Sequence, residues 1–364
     1  MDKPSPFPFQ GPLKADEVAG RSVERIDLAQ RIADHRLTAL LGPRRYGKTS
    51  LLRAVTADLA GVGHETIWVD LYEVASMADV ASAFDRGMAD VEGRLLGLLA
   101  DLAATASIRL GVLGIELSRS ARDRPDPVLA LRERVRMLVK AAGRQPLVLV
   151  IDEFSGIAGV EHAAGILRTE LQHHYRDLGI VFAGPQPSTM ATLFSDAAQP
   201  FFAQADLFTL GPMSDGDVAE AVREGFTATG RDAGAVVVPL VAAADGHPQR
   251  AMQMADAAWR ATPEGTTATD DTWATALSDT RAAVAAGSER LFALLPTGHQ
   301  KVLRAVASGG SPYGTAGDVL SLSAGTARAG IEALVGNGYL TRRNDRLVVV
   351  DPLFADWLRS RFPV

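Results

Sequence analysis

The segment Gly42–Thr49 reads Gly-Pro-Arg-Arg-Tyr-Gly-Lys-Thr and has the G-x-x-x-x-G-K-[ST] spacing of a phosphate-binding loop. Its two glycines let the backbone curl, so that successive N–H groups point at phosphate oxygens. Lys48 is placed to reach the β- and γ-phosphates, and the Thr49 hydroxyl is placed to ligate Mg²⁺. We therefore expect this loop to bind a nucleoside triphosphate, with ATP/ADP and Mg²⁺ as the cofactors. The residues predicted to contact nucleotide here are Gly42, Pro43, Arg44, Arg45, Tyr46, Gly47, Lys48, Thr49 and Ser50.

A second group of candidate residues follows the apolar run Leu147–Ile151, which is closed by Asp152 and Glu153. Magnesium beside a phosphate loop needs another anchor, usually an acid at the end of a neighbouring buried strand. We expect Asp152 to hold the hydration shell of Mg²⁺ and Glu153 to polarise the attacking water. The alternative is two solvated acids after a core strand. An Asp-Glu pair favours hydrolysis over nucleotide binding alone.

Further candidates carry weaker signals. Gln186 or Ser188, after the run 179–183, is placed to sense a γ-phosphate, and a plain turn fits equally well. Arg176 precedes that run at the end of a predicted helix, so it is a catalytic candidate toward a neighbouring subunit's phosphate or an ordinary solvated arginine. Pro248 occupies a first helical position, which puts Arg250 on the first turn, as a phosphate reader or a surface residue. The seven histidines show no metal-binding spacing, and we expect them to be solvated.

The elements that must position these residues form an α/β pattern. Apolar runs alternate with helical stretches as far as about residue 212, which predicts a parallel sheet with helices on both faces. Strands are predicted at 37–41, 66–71, 147–151, 179–183 and 207–210. Helices are predicted at 23–33 with Ser22 as N-cap, at 49–60, over most of 77–142, and at 166–176.

Beyond Ser214 the pattern is helical, and the chain ends on a predicted hairpin. Helices are predicted at 215–229, 236–244 and 248–262, and a linker or loop at 263–271. Helices then follow at 297–307, 315–320 and 324–336 and strands at 339–342 and 346–350. Asn344-Asp345 between these strands is a hairpin turn signal. The predicted domains are an extended arm (1–19), a P-loop core (20–212), a helical lid (213–286) and a winged helix (287–364).

Composition limits the possible classes. Apolar residues make up 47% and charged residues 22%, as in an ordinary globular protein, and there is no cysteine. The chain therefore has no disulfide, thiolate metal site or cysteine nucleophile, and this fits a cytoplasmic location. We expect neither a secretory signal nor a transmembrane segment. The net charge of −6 is uneven: from Ser288 onward there are nine Lys or Arg against six Asp or Glu.

Several short motifs together resemble the STAND-type P-loop ATPases, in particular their archaeal ATPase-like branch, which is related to AAA+ proteins. They are Gly20-Arg21-Ser22-Val23-Glu24-Arg25, the phosphate loop with Ser50, Val150-Ile151-Asp152-Glu153-Phe154, 182–188 and Gly246-His247-Pro248. The resemblance covers nearly the whole chain, and it implies a helical lid and a C-terminal winged helix. It also implies that Gly20 and Arg21 lie near the adenine and that the Pro248 loop contacts nucleotide. Pro185 stands where relatives often carry serine, which weakens the case for a sensor there.

The resemblance further implies a nucleotide-driven switch acting through a protein partner or self-assembly. The alternative is a DNA-binding regulator or initiator whose winged helix contacts phosphates through Arg328, Arg342, Arg343 and Arg346. A helicase or transporter motor has no support, because the sequence shows no aromatic and basic single-strand channel. Leu95–Leu117 exceeds the minimal core, and we expect it to pack on the core rather than to pair with a subunit or touch a membrane.

Overall fold

The computed structural model describes residues 4–105, 126–185 and 187–364, which form two compact units. The sheet unit comprises Ser22–Gly42 and Leu51–Leu210. The helical unit comprises the residues up to Arg21, Pro43–Ser50 and Gly211–Val364. The phosphate loop thus groups with the helical unit, although the strand that precedes it belongs to the sheet unit.

The sheet unit is built on a five-stranded sheet in the order β2-β3-β4-β1-β5, with every neighbouring pair parallel. The strands are β1 Thr38–Leu41, β2 Glu65–Asp70, β3 Leu147–Asp152, β4 Gly179–Ala183 and β5 Asp206–Thr209. The predicted parallel sheet is confirmed, with strand ends shifted by about one residue. The strand order was not predicted: β4 lies between β1 and β3, the strand that ends at Asp152.

Helices cover both faces of the sheet, as predicted, because side chains of buried parallel strands alternate between two apolar faces. On one face Leu40, Val150 and Val181 pack against α1 (Ser22–Ala33) and α2 (Lys48–Gly61). On the other face Leu149 and Phe182 pack against the remaining helices of this unit. These helices are α3 Met77–Ala89, α4 Gly93–Thr105, α5 Pro127–Ala142, α6 Ala163–Leu171 and α7 Pro187–Ser195.

Two predicted segments, Leu95–Leu117 and the helix 166–176, belong in part to this second face. Of the unexplained segment Leu95–Leu117, the part in α4 buries Leu95, Leu99 and Leu102 in the core, so core packing is correct there. Residues 106–117 lie outside the described residues. The predicted helix 166–176 is wrong at its end, because α6 stops at Leu171 and local hydrogen bonds close successive turns instead.

Four helices form the first part of the helical unit: α8 Asp215–Ala228, α9 Val237–Ala244, α10 Pro248–Arg260 and α11 Asp270–Leu294. The segment 263–271, predicted as a linker or loop, is a loop as far as Thr269, and α11 begins at Asp270. Hydrogen bonds hold this loop: Gly265 N–H donates to the Gly230 carbonyl at 2.8 Å, and Ala268 N–H donates to the Asp232 carbonyl at 2.8 Å. Helix α11 is 25 residues long and runs through the predicted boundary at 286, so the domain limits stay a prediction.

The chain ends on α12 Thr297–Ala307, α13 Thr315–Val319, α14 Ala324–Gly336, β6 Leu340–Arg343, β7 Arg346–Val349 and α15 Pro352–Arg361. Strands β6 and β7 pair antiparallel, which confirms the hairpin. Asn344 and Asp345 both have positive φ, at 49° and 61°, as a two-residue turn with matching twist requires. Helix α15 was not predicted, although Asp351 caps it and Pro352 opens it.

The N-terminal arm lacks regular structure from residue 4 to Lys14 and then forms one 3₁₀ turn at Ala15–Glu17. It is nevertheless packed. Phe7 is buried against Phe226 of α8, with ring centroids 5.7 Å apart, and the Phe9 carbonyl accepts a hydrogen bond from Gln249. Among the described helices, none is long and apolar enough to cross a membrane.

Candidate functional site

The phosphate loop has the curled backbone that its sequence predicts. Gly42 and Gly47 have φ values of 156° and 86°, and Arg45 is left-handed at 66°. A Cβ atom at position 42 would lie 2.8 Å from the Leu210 carbonyl oxygen, so this position requires glycine. Arg44 and Arg45 are exposed, whereas Pro43 and Tyr46 are buried. The loop therefore has the alternating conformation from which backbone anion nests are made.

The charge at the loop comes from Lys48 and from the start of α2. Lys48 is 7% exposed, and its Nζ donates to the Pro43 carbonyl at 2.8 Å, so the ammonium group lies against its own loop. Helix α2 has no acidic residue in its first turn, so nothing there opposes the positive end of its dipole. Ser50 Oγ accepts a hydrogen bond from the Leu13 N–H at 3.1 Å, which ties the N-terminal arm to this turn. These groups suit a polyphosphate.

Asp152 and Glu153 close β3 at the carboxyl edge of the sheet, the same edge at which Gly42 follows β1. Ligands of open parallel sheets bind outside this edge. Asp152 is 6% exposed, and its Oδ1 accepts the Glu153 N–H at 2.9 Å. Glu153 has a left-handed φ of 53°, and Asp70 lies opposite Asp152 at the end of β2.

The donor atoms present suit magnesium better than a transition metal. Within the described ranges there is no group of three or more His, Cys, Asp or Glu side chains that would hold a metal ion alone. Mg²⁺ typically takes one or two carboxylates together with water and substrate phosphates, and a threonine hydroxyl beside a phosphate loop is its usual further ligand. Thr49 and Asp152 are oxygen donors of these two kinds.

Arg21 and Gly20 lie in the helical unit, as does the phosphate loop. Arg21 is 4% exposed and donates to the Gly211 carbonyl at 2.7 Å and to the Pro212 carbonyl at 3.3 Å. The Arg21 guanidinium thus holds the backbone of Gly211 and Pro212, shortly before α8 begins. Contact of Gly20 and Arg21 with adenine stays a prediction.

Tyr46, at the centre of the loop, packs against His247, which precedes α10. Their ring centroids are 5.1 Å apart at an interplanar angle of 68°, and the two residues are 2% and 1% exposed. Burial lowers the pKa of His247 to about 4 and raises the pKa of Tyr46. The expectation that all histidines are solvated is therefore wrong for His247, because its ring is buried against Tyr46.

Pro248 opens α10, as predicted, and puts Arg250 on the first turn. Arg250 Nε donates to Asp351 Oδ1 at 3.0 Å, and Nη1 donates to Gln253 at 2.6 Å. Burial acts to raise the pKa of Asp351, but its hydrogen bonds with Arg250 hold that pKa below the usual value. Arg250 thus joins α10 to the residue before α15. Phosphate reading by Arg250 stays a prediction.

The weaker candidates are dispersed. Arg176 is exposed in a turn rather than at a helix end, and its carbonyl accepts a hydrogen bond from His35 Nδ1 at 2.7 Å. The α6 helix cannot present Arg176, because it ends five residues earlier at Leu171. Ser188 lies in the first turn of α7. Gln186 lies outside the described residues.

Two of the four C-terminal arginines proposed for DNA pair with carboxylates. Arg328 Nε lies 2.9 Å from Glu332, and Arg343 Nη1 lies 2.7 Å from Asp245. Arg342 and Arg346 are exposed on the hairpin. Sequence reasoning missed Asp245 and Asp351 as partners of arginines. The Asp351-Pro352 pair, a common helix start, was a signal for α15 but not for the pairing with Arg250.

The fold is that of P-loop NTPases, and several solved structures are similar over almost their whole length. The Walker-type ATPase PABY2304 of Pyrococcus abyssi is 18% identical with a TM-score of 0.73, covering 97% of this chain and 99% of that chain. The ORC2 protein of Aeropyrum pernix, in ADPNP–ADP complexes, is 14% identical with a TM-score of 0.58, covering 98% of each chain. The Aeropyrum pernix ORC1 protein in complex with DNA is 15% identical with a TM-score of 0.51, covering 94% and 93%.

No family model matches the chain, and no curated protein matches it in sequence. At these identities the similar structures show the fold alone. Activity depends on the residues of the site and not on the fold.

Proposed function

We propose that this protein is an ATP-binding, slowly ATP-hydrolysing P-loop ATPase of the STAND/AAA+ type. The observation that carries the proposal is the curled loop at Gly42–Ser50, with the buried Lys48 at the start of a helix. The structural similarity to a Walker-type ATPase of Pyrococcus abyssi supports the same activity.

The chain's own groups have separate roles in this proposal. Loop N–H groups and Lys48 bind the β- and γ-phosphates and offset the charge that develops on the γ-phosphoryl group. Thr49 and Asp152 would hold Mg²⁺, which would neutralise phosphate charge. Glu153 orients a water molecule in line with the leaving group and accepts its proton. Lys48 exchanges its bond to the Pro43 carbonyl for phosphate oxygens.

We further propose that nucleotide occupancy acts as a switch through a protein partner or self-assembly, with the 287–364 region as a winged-helix module. A DNA-binding regulator is the second candidate. It is supported by the exposed Arg342 and Arg346 and by the similarity to the Aeropyrum pernix ORC1 protein, whose structure is a complex with DNA. The pairing of Arg328 and Arg343 with carboxylates favours the first candidate.

The test combines titration calorimetry with phosphate-release assays on the full chain, using Mg-ATP. We expect the wild-type protein to bind and to turn over slowly. Lys48→Ala removes the ammonium group and should abolish both binding and turnover. Glu153→Gln keeps the shape of the side chain without its basicity, and it should keep binding while losing turnover by roughly 100-fold, as for a general base. Lys140→Ala, at an exposed position of α5, is the control.

Tight Mg-ATP binding by the wild-type protein with no phosphate release would overturn the hydrolase proposal and leave a binding protein. Absence of heat with Mg-ATP, Mg-GTP and Mg-ADP on folded protein would overturn the nucleotide site itself.

A further inference from the structure

The C-terminal hairpin β6–β7 is tied to the end of α9. Arg343, the last residue of β6, donates to Asp245 Oδ1 at 2.7 Å across 98 positions of sequence. The side chains are 27% and 56% exposed, so the pair is only partly desolvated. Asp245 is the C-cap of α9 and has a left-handed φ of 45°. Its backbone is thus fixed, and it presents the carboxylate to the hairpin from a defined place.

Two residues after Asp245, His247 packs edge-on against Tyr46 of the phosphate loop. The Tyr46 hydroxyl is buried and has no hydrogen-bond partner of normal geometry among the described residues. The Arg343 guanidinium is close enough to lower the pKa of this hydroxyl, in opposition to burial, which raises it. Arg343 of the hairpin therefore contacts Asp245, the backbone joins Asp245 to His247, and His247 contacts Tyr46 in the middle of the loop.

A second tie runs beside the first. His247 Nδ1 accepts the Arg250 N–H at 3.4 Å, and the Arg250 side chain pairs with Asp351, between β7 and α15. Their side chains are 12% and 23% exposed. The hairpin and the residue that follows it are thus bonded to Asp245, the first of the three residues between α9 and α10, and to Arg250 in the first turn of α10. These two contacts flank His247, which packs on Tyr46.

We propose that Arg343 is a positioning residue for the phosphate loop: with Asp245 and His247 it holds Tyr46, and through Tyr46 the curled loop, in the form that binds polyphosphate. The inference rests on the proposed function and adds its regulation. We expect hairpin contact to favour nucleotide binding, because the loop has its left-handed residues at Arg45 and Gly47 in the structure in which Arg343 contacts Asp245. Docking of the hairpin and binding of nucleotide must then stabilise each other reciprocally.

The first measurement is calorimetric titration of the full chain with Mg-ADP. We expect Arg343→Gln and Asp245→Asn each to raise Kd about 5- to 10-fold, in the range of ordinary coupling between sites. The double variant should lose little more than either single variant, since both remove the same contact. Arg343→Lys should recover part of the affinity. Arg361→Gln, at an exposed position of α15, is the matched charge control and should bind as the wild type does.

The second measurement is hydrogen exchange with and without Mg-ADP. Nucleotide should slow exchange across residues 340–349 in the wild type and leave it unchanged in Arg343→Gln. A residue with a merely structural role would lower thermal stability without this reciprocal protection. The wild-type measurement needs no substitution, so it decides the question even if a variant fails to fold.

The outcomes separate the two proposals. If the wild type binds Mg-ADP but exchange over 340–349 does not respond, or both single variants bind with unchanged Kd, the coupling is wrong and the nucleotide site stands. If the wild type binds no nucleotide, the proposed function and the coupling fail together.

Discussion

At the scale of single residues, His247 combines two roles that both require an uncharged ring. Its Nδ1 caps α10 by accepting the Arg250 N–H, which only an unprotonated nitrogen does. Its ring lies against Tyr46 at 1% exposure, near the charges of Arg250 and Arg45. Burial is the main reason that the pKa of His247 falls to about 4.

This pKa makes stability depend on pH. An unfolded chain takes up the proton below about pH 6.5, while the folded protein resists it down to about pH 4. The free energy of unfolding therefore decreases as pH falls through this window, by about 2 kcal/mol between pH 7 and pH 5. Urea unfolding at the two pH values should show this loss for the wild type and a smaller one for His247→Asn, which keeps a capping side chain.

The exposed His162 provides the matched control, because its side chain is 80% exposed and His162→Asn keeps a residue that tolerates the left-handed backbone. This variant should retain the full pH dependence. Equal pH slopes in the wild type and His247→Asn would show that His247 titrates normally.

The residue roles that could be predicted from the sequence are those that depend on neighbouring residues. The curled loop and the Pro248 helix start were predictable, since glycine, lysine and proline act through the backbone next to them. The pairings of Arg343 with Asp245 and of Arg250 with Asp351 were not, because their partners are about 100 positions away. Nothing in the local sequence marks such a partner.

At the scale of elements, one large buried side chain, Phe7, anchors the N-terminal arm to the helical unit. Phe7 is 2% exposed and packs on Phe226, and its ring occupies the space beside Gly225 in α8. The arm also receives the hydrogen bond from Gln249 and reaches Ser50. It therefore links α8 and α10 to the first turn after the phosphate loop, all within the helical unit.

Phe7→Ala should lower the free energy of unfolding of the helical unit by about 3–5 kcal/mol, through lost burial and the cavity left behind. Phe9→Ala, two residues away and only half-buried, should cost markedly less. Urea unfolding followed by circular dichroism and tryptophan fluorescence measures both. Similar midpoints for the two variants would mean that the arm detaches at little cost.

The strands were predictable because short, fully apolar runs bounded by polar residues are typical of buried parallel strands. The end of α6 was not, since residues 172–176 carry polar side chains that a helix also accepts. Their turns are fixed instead by bonds such as His174 Nδ1 to Asp177 at 2.7 Å. The strand order was equally hidden, because it depends on contacts between elements.

At the scale of the whole molecule, charge limits the partners. The chain carries −6, and Arg328 and Arg343 are paired with carboxylates. Affinity for duplex DNA depends mainly on phosphate neutralisation and falls steeply with salt. Arg342 and Arg346 remain exposed on the hairpin, too few for strong binding.

We expect no duplex binding at about 150 mM salt, where only several phosphate contacts sustain affinity. Fluorescence anisotropy with a labelled duplex at low and high salt tests this. Strong, salt-sensitive binding that Arg342→Glu weakens would contradict it and favour the DNA-binding regulator. Lys140→Glu, at an exposed position of α5 remote in sequence from the hairpin, serves as a control that changes the net charge by the same amount and in the same direction.

The sequence suggested a division at about residue 212, and one boundary between the two units lies close to it, between Leu210 and Gly211. The assignment of the arm and the phosphate loop to the helical unit was hidden from the sequence. Their assignment follows from contacts such as those of Tyr46 and Phe7, which no local pattern encodes.

Helix α11 has a practical consequence for dissecting the protein. Its early residue Ala276 belongs to the core shared with α8, α9 and α10, and its late residue Phe292 belongs to the core around the hairpin. A cut at residue 286 would divide α11 and expose apolar surface on both fragments. A cut before Asp270 or after Leu294 would leave α11 intact but would separate it from one of its two cores. Neither half should therefore express well alone, and the helical unit is best handled as an indivisible piece.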